Sequence, residues 1–311
     1  MKTNFSSIKN EHERALLKSL VFFDLFSYPL SLWEWWQNLE IKISFKELSE
    51  TVDYLLEGGQ VERREGWYFL PGRQEIVLER RQRYNFTNQK IKRAKKAARL
   101  FRLVPSVKLV AISNLIGHHN LREGSDIDLF IISSPGRLWL TRFFCAGLMK
   151  ILRWRPQRDD KQDKICLSFY AATTGLAMDS LRLDGGDAYF EHWLMGLHPI
   201  YDKGRYLDYL HYKNPWLKEL FPNSYLLRES FSADYFSRNL LDRLLFSIAN
   251  VAEPVVKKIQ FKILPPALAS QIGKGTGVIL SDHLLRFYLD DRRLELQNRY
   301  LDRLASLGLY D

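Results

Sequence analysis

Three apolar segments near the middle of the chain restrict its fold more than any other feature. They are VKLVAIS (residues 107–113), DIDLFII (126–132) and ICLSFYAA (165–172). Each has the length and apolar character of a strand buried in a sheet. A polar loop (114–125) separates the first two segments, and a predicted helix (137–154) lies between the last two. The pattern predicts an α+β protein whose sheet contains these three strands.

Two acidic residues stand at the start of the second predicted strand. Asp126 and Asp128 are two positions apart, and side chains alternate faces along a strand, so both carboxylates should project from one face. Carboxylate oxygens are hard ligands that suit Mg²⁺ or Mn²⁺, and such an ion keeps waters that substrate phosphates can replace. The pair is therefore predicted to bind metal and to act in catalysis at a phosphate group.

The segment that precedes the sheet predicts a small N-terminal domain. Residues 11–26 have the apolar spacing of a helix. Ser31 is placed to cap a second helix, and Ser44 with Glu47 forms a capping-box pattern before a third. A short hairpin follows, ending at Leu70. Three helices and a hairpin are typical of a winged helix-turn-helix, so residues 1–72 are predicted to form a winged helix-like domain.

The chain is basic, and much of the positive charge lies in one segment. The net charge is +10 and the isoelectric point is about 9.4, which favours polyanionic partners. Ten Lys and Arg residues occur from Arg80 to Arg102, and no acidic residue occurs from Arg80 through Arg122. This stretch belongs to a predicted basic linking helix (73–102). It is a candidate nucleic-acid contact, with a solvated helix face as the alternative.

The rest of the composition restricts the cellular setting that we expect. Residues 1–14 lack the apolar core of a signal peptide. No uncharged run approaches the roughly 20 residues of a membrane span, so a cytoplasmic location is expected. Cys145 and Cys166 both sit among apolar residues and are predicted to be small core side chains in a reducing compartment.

The stretch around the two aspartates resembles a known family. An apolar strand, a polar loop and the block Ser-Asp-Ile-Asp-Leu at 125–129 follow one another, as they do in the DNA polymerase β-like nucleotidyltransferase superfamily, especially its minimal bacterial members. The resemblance covers about residues 103–200. It implies an α+β core with a small mixed sheet, which binds a nucleoside triphosphate with divalent metal. It implies that Asp126 and Asp128 hold the metal ions. The candidate phosphate contacts are Ser113, Asn114, Arg122 and Ser125.

Two positions depart from the pattern of that family. Where the family has Gly-Ser after the first strand, this chain has Asn114 and Leu115, and a leucine side chain cannot bond a phosphate. Members of the family usually carry a third carboxylate on the following strand, but residues 165–172 contain no acid. Three acids nearby in sequence are candidates for that role: Asp163, Asp187 and Glu191.

The C-terminal part of the chain is predicted to be mainly helical. Helical patterns predominate from Tyr189 onward, and residues 201–311 are assigned to a helical C-terminal region. A glycine-rich segment (273–277) would suit a phosphate loop but lacks the full P-loop spacing, so it is interpreted as a turn before a short strand (278–280). The nucleotidyltransferase core is thus expected to lie between a winged helix-like domain and these helices.

Three functions remain open at the level of the sequence. The first is Mg²⁺-dependent transfer of a nucleotidyl group from a nucleoside triphosphate to a hydroxyl-bearing acceptor. The second is a catalytically degenerate transferase fold that binds nucleotide or nucleic acid, which Leu115 and the acid-free third strand favour. The third is a winged-helix DNA-binding regulator. Four acidic residues in the third predicted helix (44–57) argue against it, because they would face phosphates.

Overall fold

The computed structural model describes residues 10–157, 159–224 and 240–310. In these residues a central sheet carries helices on both of its faces. The helices are α1 (Glu11–Asp24), α2 (Leu32–Gln37), α3 (Phe45–Glu57), α4 (Glu75–Phe101), α5 (Leu138–Ile151), α6 (Ala188–Met195), α7 (Tyr206–Tyr212), α8 (Trp216–Leu220), α9 (Leu240–Lys262), α10 (Pro266–Ala269) and α11 (Arg293–Ser306). The strands are β1 (Glu62–Arg64), β2 (Trp67–Phe69), β3 (Val107–Ile112), β4 (Ile127–Ser133), β5 (Ile165–Ala172), β6 (His198–Asp202), β7 (Val278–Leu280) and β8 (Leu284–Phe287).

The central sheet is mixed and has the order β6-β3-β4-β5-β8-β7. Strands β4 and β5 run parallel, and the other neighbouring pairs are antiparallel. The three predicted strands form its centre, with bounds that differ from the prediction by no more than one residue. The α+β class and the mixed sheet are therefore confirmed.

The region after Tyr189 contains three strands in addition to helices. Strand β7 coincides with the strand predicted at 278–280, whereas β6 and β8 have no counterpart in the prediction of a mainly helical region. A strand at the side of a sheet needs only a few residues, so it leaves little signal in the sequence. Its stability comes from hydrogen bonds to a neighbour, here β3 for β6 and β5 for β8. The sheet thus draws on residues beyond 103–200.

Alternation along β4 divides the core into two halves. Ile127, Leu129 and Ile131 pack with residues of α4 and α5, while Phe130 and Ile132 pack with α1 and α6 on the other face. All five side chains are almost fully buried, and each contributes roughly 1.5–3 kcal/mol of hydrophobic stabilisation. Asp128 is two positions from Phe130, so its side chain lies on the same face of the sheet, the face that α6 covers.

The N-terminal segment has the predicted order of three helices and an antiparallel hairpin, β1–β2. Ser31 and Ser44 each form a complete capping box, with Glu34 and Glu47 as the acidic partners. Residues of α1–α3 share one apolar core with β3, β4 and α6. The winged-helix assignment stays a prediction, and this shared core favours a packing role for the segment.

No helix among the described residues is both long and apolar enough to cross a bilayer.

A buried tyrosine joins the N-terminal segment to the loop between β3 and β4. The Tyr28 hydroxyl donates to the Glu34 carboxylate at 2.6 Å and accepts the backbone N–H of His118 at 2.7 Å. Gly117, with φ at +79°, lies so close that a Cβ there would clash with the Tyr28 ring. This approach requires glycine both for its backbone conformation and for its lack of a side chain.

Replacing Gly117 with alanine should destabilise the protein. The added methyl group both overlaps the Tyr28 ring and occupies a left-handed conformation, so we expect a loss of about 2 kcal/mol or more in the free energy of unfolding. The matched control is Gly124→Ala in the same loop, where a Cβ meets nothing within 4 Å. Urea denaturation of both variants measures the difference. Equal midpoints would contradict the packing described here.

Candidate active site

Asp126 and Asp128 come together with Cys166. Asp126 immediately precedes β4, Asp128 is its second residue, and Cys166 is the partner of Asp128 in the parallel register of β5. One carboxylate oxygen from each aspartate and the Cys166 sulfur all lie within 4.8 Å of one another. All three side chains are partly buried. The two carboxylates therefore face the same space, as strand alternation predicts.

A β-bulge brings Cys166 into this group. Asp128 pairs with Cys166 and Phe130 pairs with Phe169, so β5 contains one more residue than β4 between these two pairs. The Cys166 sulfur lies 2.8 Å from the Ser168 hydroxyl oxygen. The prediction that Cys166 is a small core side chain is wrong, because its sulfur contacts polar groups at the end of the sheet. The available signal was the pairing of polar Cys166 and Ser168 in an otherwise apolar strand.

Negative charge on Asp126, Asp128 and Cys166 is unfavourable without a bound cation, because the three groups are partly buried and close together. Burial and then the nearby charge of Asp126 raise the pKa of the Asp128 carboxyl to about 7. Burial also raises the pKa of Asp126, and burial with the charge of Asp128 raises the pKa of the Cys166 thiol well above its usual range. Within the described part of the chain, neither aspartate forms an ion pair with a lysine or arginine. A cation would supply the missing positive charge.

Two of the predicted phosphate contacts support the backbone of the aspartates. Ser113 donates its N–H to the Asp128 carbonyl at 2.9 Å and its hydroxyl to the same oxygen at 3.3 Å. The Asn114 Nδ2 donates to the Asp126 carbonyl at 3.1 Å. The Asn114 Oδ1 is buried and has no hydrogen-bond partner among the described residues. The Ser113 hydroxyl is thus occupied, while the Asn114 Oδ1 is a buried acceptor without a donor among the described residues.

The other two predicted phosphate contacts lie in the turn before Asp126. The Ser125 hydroxyl donates to the Arg122 carbonyl at 2.9 Å, so it closes the turn. The Arg122 side chain is exposed and is the member of the predicted set that remains accessible to an anion. Leu115, which replaces the serine of the family pattern, is buried in the core. Its role is packing.

The three acids considered as a third carboxylate are all used elsewhere. Each forms an ion pair with a basic residue. Asp187 also caps α6 by accepting the N–H of Phe190. None of the three belongs to the cluster with the two aspartates. The pairs are Lys90–Asp163 (2.6 Å), Arg182–Glu191 (2.6 Å) and Arg293–Asp187 (2.7 Å).

One face of α4 holds the loop that leads to Asp126. Four buried polar residues recur at helical spacing along this face, and their side chains bond to two regions: the segment that leads into α2, and the loops before β4 and β5. The Lys90 ammonium donates to the carbonyls of Glu123 and Ser125 at 2.8 and 2.7 Å. The Thr87 hydroxyl accepts the N–H of Leu121 at 2.9 Å. The four residues are Arg80, Arg83, Thr87 and Lys90.

These contacts change the interpretation of the basic segment. Arg80, Arg83 and Lys90 are buried and bonded to protein groups, so they do not face a polyanion. The exposed basic residues of the segment occupy other faces of α4 and its C-terminal end, and nucleic-acid binding through them stays a prediction. They are Arg81, Lys92, Lys95, Lys96, Arg99 and Arg102.

The glycine-rich segment at 273–277 lines a cavity of about 240 Å³. Its Thr276 hydroxyl donates to the Asp291 carboxylate at 2.8 Å, and Lys274 also lines the space. Tyr288 belongs to the same wall. Burial, and then the charge of Asp128, raise the pKa of the Tyr288 hydroxyl.

Comparison with protein-family models, curated proteins and solved structures gave no match to this chain. The likeness to the nucleotidyltransferase superfamily therefore rests on the Ser125–Leu129 block and on the residues around it.

Replacing Lys90 with methionine should weaken the fold. The variant would leave two buried carbonyls and the Asp163 carboxylate without their shared donor, so we expect a loss of about 2–4 kcal/mol in the free energy of unfolding. Lys92→Met is the matched control, since Lys92 is exposed on the same helix. It should change stability by less than about 0.5 kcal/mol. Chemical denaturation distinguishes the two variants.

Replacing Asp128 with asparagine should stabilise the chain in the presence of a chelator, and more so at alkaline pH. A carboxyl with a raised pKa in the folded state costs no stability below its unfolded pKa of about 4, and the cost grows as pH rises toward 7. We expect the gain from Asp128→Asn to be larger at pH 8 than at pH 5 by about 2 kcal/mol. Denaturation curves at both pH values test this, and a gain independent of pH would contradict it.

Proposed function

We propose that the protein is a divalent-cation-dependent nucleotidyltransferase. It moves a nucleotidyl group from a nucleoside triphosphate to a hydroxyl-bearing acceptor. The observation that carries the proposal is the convergence of the Asp126 and Asp128 carboxylates, partly accessible and without a basic partner among the described residues. Structural carboxylates at such depth are normally paired, as Asp187 is with Arg293. Unpaired ones suit a cation that arrives with substrate phosphates.

The residues around the site divide the work of this reaction. A bound divalent cation supplies charge stabilisation for the triphosphate and favours ionisation of the attacking hydroxyl. Asp126 and Asp128 would hold the cation, and Ser113 and Asn114 fix their backbone from β3. Arg122 is accessible for a phosphate oxygen. The acceptor oxygen forms a bond to the α-phosphorus as the bond to pyrophosphate breaks.

A second candidate function is nucleotide binding without transfer. It is favoured by the burial of Leu115 and by the bond between the Ser125 hydroxyl and the Arg122 carbonyl. The Ser113 hydroxyl donates to the Asp128 carbonyl, so no serine hydroxyl of the predicted set is free for phosphate. In this case the aspartates would still take a cation and a nucleotide, but the acceptor would not react.

Incubation with radiolabelled nucleoside triphosphates and Mg²⁺ or Mn²⁺ separates the two functions. The transferase should release pyrophosphate and transfer label to a hydroxyl-bearing acceptor or to itself. Asp126→Ala should lower this rate by about 100-fold or more, because a cation site contributes several kcal/mol to such reactions.

Asp159→Ala is the matched control, since Asp159 is an exposed acid in the loop before β5, and it should keep the full rate. Equilibrium dialysis is run in parallel with each labelled nucleotide. Binding that depends on Asp126 without release of pyrophosphate would support the second function and exclude the first.

A further inference from the structure

We propose that the Cys166 thiolate is the third protein ligand of the cation site, so that the site prefers a borderline divalent ion such as Zn²⁺ or Co²⁺ over Mg²⁺. This inference rests on the cation-binding part of the proposed function. Thiolate ligands favour softer metals, whereas an all-oxygen site favours Mg²⁺. Replacing the expected third carboxylate by sulfur therefore changes the class of ion and leaves the two aspartates in place.

The positions of the donor atoms fit one ion. The two carboxylate oxygens and the sulfur lie within 4.8 Å of one another. Ligand atoms of one tetrahedral ion lie about 3.5 Å from one another, given metal–oxygen and metal–sulfur distances of roughly 2.1 and 2.3 Å. The three side chains therefore move together by about 1 Å when the ion binds. Cys166 is held by β5 directly across from Asp128, so this arrangement belongs to the sheet and needs no loop movement.

Asn114 gives an independent sign that a cation is expected here. Its Nδ2 donates to the Asp126 carbonyl at 3.1 Å. This orientation leaves the Oδ1 buried and without a donor among the described residues. A buried acceptor in that position is costly unless something positive approaches it.

The two cysteines of the chain have opposite surroundings. Cys145 is fully buried in α5 within an apolar core, and burial alone raises its pKa. Cys166 lies among two carboxylates and the Ser168 hydroxyl. On coordination the Cys166 thiol releases its proton to solvent and its sulfur donates a lone pair to the metal. The Ser168 hydroxyl can then donate to the thiolate, as a partner that orients the ligand.

Cobalt titration of the full chain tests the proposal. The protein is first stripped of metal with a chelator, and Co²⁺ is then added while the near-ultraviolet thiolate-to-cobalt charge-transfer band is recorded. The band should rise to one equivalent of Co²⁺ in the unmodified protein and in Cys145→Ser, and it should be absent in Cys166→Ser. Competition calorimetry should show a preference for Zn²⁺ over Mg²⁺ that falls by about 10-fold or more in Cys166→Ser. Cys166→Asp should still bind a cation and should shift the preference toward Mg²⁺.

The outcomes separate this inference from the proposed function. Cobalt binding without the band, or a band that persists in Cys166→Ser, overturns the inference, as does equal competition by Mg²⁺. Circular dichroism of Cys166→Ser, with Cys166→Asp as the second variant, excludes loss of the fold as the cause of a missing band. Pyrophosphate release is measured on the same samples. A normal charge-transfer band without pyrophosphate release refutes the transferase and keeps Cys166 as a ligand. Pyrophosphate release with Mg²⁺ but no charge-transfer band refutes Cys166 as a ligand and keeps the transferase.

Discussion

The ammonium group of Lys90 sits in the interior with almost no exposure to solvent. An ammonium at that depth is tolerated only when protein oxygens replace its water, and three do so, from Glu123, Ser125 and Asp163. Those residues belong to the segments that lead into β4 and β5, so one charge fixes the starts of both strands relative to α4. The Asp163 N–H also donates to the Ser125 carbonyl, at 3.1 Å. The spacing between the start of β4, where the aspartates lie, and the start of β5, where Cys166 lies, follows from this arrangement.

The same helix shows that a count of basic residues says little about the surface they form. On the inner face of α4, basic side chains donate hydrogen bonds to carbonyls and carboxylates. A further ion pair, Arg80 with Glu34 at 2.7 Å, joins α4 to α2. The Arg80 guanidinium also stacks over the rings of Tyr28 and Trp67. The positive charge that faces solvent is therefore smaller than the sequence total suggests.

Local patterns in the sequence predict local structure well here, and contacts between distant segments are what they miss. The central strands follow from their apolar runs, and the caps at Ser31 and Ser44 follow from residues three positions away. The meeting of Asp128 with Cys166 depends on a parallel pairing and a bulge, neither of which has a signature within either segment. The pairing of Asp187 with Arg293 likewise joins residues more than 100 positions apart. For that reason the sequence could offer Asp187 as a ligand and could not exclude it.

The placement of β8 beside β5 has a consequence for how the chain is made. About 110 residues separate the end of β5 from the start of β8, so on the ribosome the outer side of β5 stays unpaired while all of them are synthesised. A strand as apolar as this one, with free backbone groups along its side, is a template for wrong pairing with other chains.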